Sequence, residues 1–178
     1  MAATARTGLA YNSYSHAFAG MGVQFILMMG IEFGVALLMM RRQGLWQRLR
    51  AAPLPASVLL GSRIASAALI ALGLLTGIFA AGALLFGVRI EGSVAGFIGI
   101  CLAFAVLTAS FGLVIAALGK TPETTRGLAI LATLLMVMLG GAWVPSFMFP
   151  EWLQTVSLAV PTRWAVDGFD AVTWRGQG

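Results

Sequence analysis

The sequence predicts an all-α integral membrane protein with four transmembrane helices, and three observations carry that prediction. The chain is 60% hydrophobic and only 10% charged, against roughly 25% charged residues in an ordinary soluble domain. Uncharged stretches recur at about 20 to 25 residues, enough to cross a hydrocarbon core of about 30 Å. The charges collect between these stretches, most densely at Arg41–Arg63, which holds five of the eleven Lys and Arg residues (Arg41, Arg42, Arg48, Arg50, Arg63) and no acid. A basic loop between two spans stays in the cytoplasm, and that orients the rest of the chain.

Residues 1–20 read as an outer lead-in. The opening has Arg6 but no continuous apolar run after it, so it is not a signal peptide. Met21–Met40 is the first span. Glu32 lies near its middle, where an acid costs about 3 kcal/mol against a gain of roughly 0.3–0.6 per large apolar residue. The span therefore inserts as part of a bundle, with Glu32 expected to turn inward as a packing or cavity residue, or to border a translocation path. Residues 41–62 form the basic loop. Within it Gln43–Ala52 reads as a short amphipathic helix, with Leu45, Trp46 and Leu49 on one face and Arg48 and Arg50 off it; Pro53 and Pro55 end it. By spacing alone this is an interfacial helix with Trp46 anchored among headgroups.

The second span, 64–88, carries no charge, and its Gly73-x-x-x-Gly77 spacing permits close approach of another helix. Arg89–Ser93 turns at the outer face into the third span, 94–118. Residues 119–126 return to the cytoplasm with Lys120 and Arg126 against Glu123. The triplet Gly119-Lys120-Thr121 imitates the end of a phosphate-binding loop, but that motif needs glycine where Val114 stands. It is better read as a helix start, with Pro122 in the first turn. The fourth span, 127–147, meets Gly140-Gly141 and Pro145 and breaks near the outer surface. Residues 148–178 complete a tryptophan-rich end that contains, with Trp143, four of the five tryptophans. Such density belongs at a membrane interface, and short helices are expected there at Trp152–Ala159 and Arg163–Val172, lying on or dipping into the outer leaflet.

Seven Lys and Arg residues then face the cytoplasm and four the outside. The net charge of +5 is thereby explained by topology, and nucleic-acid binding is set aside. Cys101 is the only cysteine, so neither an internal disulfide nor a cysteine-based metal site can form. No metal site and no catalytic residue is assigned. His16 is expected to face solvent. Ser110 and Thr108 lack a nucleophile-elbow setting and are expected to hydrogen-bond to their own helix or a neighbour.

With the spans placed, the chain from about Tyr11 resembles the membrane subunit of type-2 ATP-binding-cassette transporters, the ABC-2 permeases. Three parts carry the likeness: RRQGLWQRLRAAPLPASVLLGSR; Phe111-Gly112-Leu113 with the Lys120–Arg126 loop; and LGGAWVP followed by Pro150-Glu151-Trp152-Leu153 and Pro161-Thr162-Arg163-Trp164. Gly44, Arg48, Leu49 and Pro53 match the family's loop pattern, whereas Arg41, Leu45 and Gln47 depart from it. The resemblance implies that the four spans are the second to fifth of six, the chain being a fragment without the first and last. It implies that Gln43, Gly44, Leu45, Trp46, Gln47, Arg48, Leu49, Arg50 and Pro53 form a coupling helix docked on a separate ATPase subunit. ATP and Mg would be bound by that partner, with no cofactor on this chain. A second permease subunit, expected as a dimer partner, would complete an export path in the cell membrane. The alternative is an ATPase-independent helix-bundle scaffold or channel, with Glu32 lining its pore.

Overall fold

The computed structural model describes residues 13–51, 55–87 and 93–173. Among them the elements are all helical: α1 (Ser13–Arg42), α2 (Leu45–Arg50), α3 (Ala56–Phe86), α4 (Val94–Leu118), α5 (Pro122–Leu139), a 3-10 turn (Ser146–Met148), α6 (Glu151–Ser157) and α7 (Pro161–Thr173). Four of these, α1, α3, α4 and α5, are long and apolar enough to cross a membrane.

Helix α1 begins eight residues before the span expected at Met21, so part of the expected lead-in is helical. Its 30 residues reach about 45 Å at 1.5 Å per residue, longer than the hydrocarbon core alone requires. Helix α3 likewise starts within the expected loop, and Arg63 is helical. The basic segment is thus mostly helix. The expected outer turn at Arg89–Ser93 lies outside the described residues except for Ser93, which caps α4 by accepting a hydrogen bond from the Gly96 amide at 3.3 Å.

Helix α1 is the central element, packed on α3, α4, α5 and α7. Its closest neighbour is α4, and the closeness comes from glycine. A β-carbon on Gly30 would stand 2.8 Å from Thr108 Cγ2, and one on Gly112 would stand 2.8 Å from the Gly30 carbonyl oxygen. Gly30-x-x-x-Gly34 on α1 and Gly112 on α4 therefore bring two backbones together, as small residues do between membrane helices. The expected close-approach pair, Gly73 and Gly77, meets nothing within 4 Å. Position on a helix face, which the spacing does not report, separates the two cases.

Thr121 caps α5 by accepting from the Thr124 amide, with Pro122 in the first turn. The helix stops at Leu139, short of the expected 147. Gly141 takes φ +81°, a left-handed conformation that suits glycine. The amides of Gly141 and Ala142 donate to the carbonyls of Met138 and Val137 at 3.3 and 3.2 Å, closing a Schellman motif. Thr162 Oγ1 donates to the Met136 carbonyl at 2.5 Å, so the start of α7 is tied to the end of α5.

Helix α7 buries Ala165, Val166, Phe169 and Val172. Phe169 is fully buried, with its ring 5.1 Å from Phe79 and 6.0 Å from Phe97. One face of α7 therefore packs on protein, while Trp164 on the other stays exposed. The tryptophan count did not signal this burial.

Candidate coupling and translocation site

At the Arg42 end of α1 the chain turns through Gln43 and Gly44 alone before α2 begins. Gly44 has φ +73°; its amide donates to the Arg41 carbonyl at 3.3 Å, and its carbonyl accepts from the Arg48 amide at 3.3 Å. This glycine makes the reversal possible, because a side chain strains the left-handed region. Helix α2 is consequently joined to α1 by a two-residue turn. Gln43, Leu45, Gln47 and Arg48 are exposed. Trp46, Leu49 and Arg50 fall on α2 with their side chains outside the described set, and Pro53 lies outside the described residues.

Arg41, a departure from the family pattern, links this end to α4. Its Nη1 donates to the Ala116 carbonyl at 2.8 Å, using a carbonyl in the last turn of α4 that has no partner within its own helix. Sequence reasoning counted Arg41 only as a topology signal and missed this contact 75 residues away.

Glu32 corrects an expectation. It does not turn into the bundle: its side chain is 60% exposed and pairs with Arg126, also half exposed, through Nη2–Oε2 at 2.6 Å. The reason is helical phase. Ile31 and Val35, one turn apart, pack with Ile115 and Ala129, and Glu32, about 100° round the helix from Ile31, is left on the exposed side of α1 beside Arg126 of α5. Arg126, expected in a cytoplasmic loop, belongs to the first turns of α5 and reaches across to it.

His16 is corrected too. It is 3% exposed, and its Nδ1 lies 2.7 Å from Asp170 Oδ2, itself buried. The pair joins α1 to α7. On α7, Arg163 Nε donates to Asp167 at 2.7 Å, and Arg163 also donates to Ser157 Oγ. Thr108 is fully buried, but its hydroxyl has no hydrogen-bond partner among the described residues; its methyl group instead faces Gly30. Ser110 is exposed.

A family model, the ABC-2 type transporter, matches residues 3–174. The chain belongs to the ABC-2 transporter family. The ABC-2 chain is also 26% identical over 168 residues to the linearmycin resistance permease protein LnrN of Bacillus subtilis (strain 168). That match covers 89% of this chain and 41% of the relative, so the chain spans about two-fifths of the length of the curated relative it matches. No solved structure matches it at a significant level. With four described helices long and apolar enough to cross a membrane, the chain carries an ABC-2 transporter membrane domain and is a multi-pass protein of the cell membrane.

Proposed function

We propose that the chain is the permease part of an ATP-driven exporter. It docks through Gln43–Pro53 on a separate ATPase subunit and forms the path together with a second permease subunit. The observation that carries this reading is the two-residue connection between α2 and α1. A push on α2 passes into α1 at once and, through Arg41, into the end of α4. ATPase closure would thereby bias the packing of several spans together, which is how a nucleotide state shifts an inward–outward equilibrium.

Glu32 and Arg126 support a path on the α1–α5 face. Charged groups facing lipid are expensive, and those tolerated at membrane depth pair or face a water-filled cavity. An exposed ion pair on the bundle's outer side is therefore suited to a wet path shared with a second subunit. The resistance function in the relative's name favours a toxic compound as cargo over a structural polymer.

Arg48→Glu reverses a docking charge and Trp46→Ala removes the apolar anchor. Each is expected to abolish ATP-driven transport in inverted vesicles and to weaken capture of the co-expressed ATPase, while membrane insertion stays intact. Unchanged capture by both variants counts against docking and returns the chain to an uncoupled scaffold or channel.

A further inference from the structure

Helices α4 and α5 both pack on α1 but make little contact with each other. Between them, at the Lys120 end, lies an open cavity of about 510 Å³. Its walls include Val114 and Leu118 from α4 and Leu128 and Ala132 from α5, and its polar lining includes Lys120 and Thr124. We propose that this cleft binds one anionic phospholipid of the cytoplasmic leaflet, with an acyl chain between the helices and the headgroup phosphate on Lys120.

The chemistry selects this occupant. An apolar cleft opening sideways between two membrane spans is in contact with lipid, and hydrocarbon fills it without desolvating a polar group. Lys120 is exposed and stands two residues beyond the end of α4, at headgroup height on the side where anionic lipids collect. Thr121 Oγ1 donates to Thr124 Oγ1 at 2.9 Å, so the hydroxyl of Thr124, a lining residue, keeps its own hydrogen for a further acceptor. Glu123, the nearest acid in sequence, is not among the lining residues. A cation and a hydroxyl donor at one end of an apolar slot match a phosphate joined to a hydrocarbon tail. Free phosphate would leave the apolar walls uncovered.

The proposal rests on the cytoplasmic placement of this turn, which accessibility labelling at position 47 tests independently. The intact protein is equilibrated with vesicles of equal phosphatidylglycerol and phosphatidylcholine, and the lipid it retains is counted by native mass spectrometry. One phosphatidylglycerol per chain is expected, in preference to phosphatidylcholine. Lys120→Gln is expected to cut that preference about fivefold, as loss of one surface cation near anionic lipid does, and Lys120→Arg to keep it. Ala132→Phe fills the cleft and is expected to abolish retention. Equal retention of the two lipids, or a preference that survives Lys120→Gln, overturns the proposal. So does an absence of retained lipid together with cross-linking of a cysteine at Leu128 to another segment of the protein, which assigns the cleft to protein. Lys120 is exposed, so its variants leave folding intact should Ala132→Phe disturb it.

Discussion

Glu32 and Arg126 pose the sharpest question at the residue scale, because the value of their contact depends on what surrounds it. In water such an exposed pair contributes about 0–1 kcal/mol; facing lipid, each charge alone is costly. Glu32→Gln is expected to change transport rate or cargo selectivity, and the exchange Glu32→Arg with Arg126→Glu to recover function that either single reversal loses. Wild-type transport by Glu32→Gln would count against a path on the α1–α5 face. His16 and Asp170 present the opposite case, a buried contact whose loss is felt in stability. Asp170→Leu removes the acceptor, at a cost of about 1–3 kcal/mol. Asp170→Asn keeps an oxygen in place and should retain most of the stability, as read by thermal unfolding in detergent. Neither pairing was legible in the sequence: the partners stand 94 and 154 residues apart, and a lone acid in an apolar run does not announce its partner.

At the scale of elements, the contact of α1 with α4 rests on absent side chains. Gly112→Leu drives a side chain toward the Gly30 carbonyl and the Phe33 ring, 2.8 and 2.9 Å from the β-carbon position. Overpacking of this kind costs about 1–3 kcal/mol. Gly73→Leu, on an open face of α3, is expected to leave the stability of the same preparation unchanged. Both positions lie in long apolar helices, and Gly30-x-x-x-Gly34 has the spacing of Gly73-x-x-x-Gly77. The signal for the real contact was therefore present in the sequence, but nothing local told the two stripes apart. The end of α5 was more legible, since Gly140-Gly141 marked a stop and the left-handed Gly141 supplies it.

For the molecule as a whole, everything functional depends on which way the bundle faces. A cysteine at Gln47, tested in a variant lacking Cys101, is expected to react with a membrane-impermeant maleimide only after the membrane is opened from the cytoplasmic side. Labelling in intact cells would reverse the topology and remove α2 from reach of an ATPase. The expected orientation comes from dividing the eleven Lys and Arg residues of the sequence into seven inner and four outer ones, an assignment that needs no tertiary information.

The chain by itself determined that it is a membrane protein, which of its described helices are long and apolar enough to span, where the basic segment lies and which family it resembles. Those properties depend on composition, on segment length against bilayer thickness and on residues close together in sequence. Only the tertiary structure decided which face of each helix is covered. It placed Glu32 outside the bundle beside Arg126, put His16 inside against Asp170, and seated Phe169 in an aromatic cluster. In segments apolar all round, hydrophobic periodicity carries little phase information. The covered face is then chosen by glycine contacts and by a few polar partners that the fold brings together from distant positions.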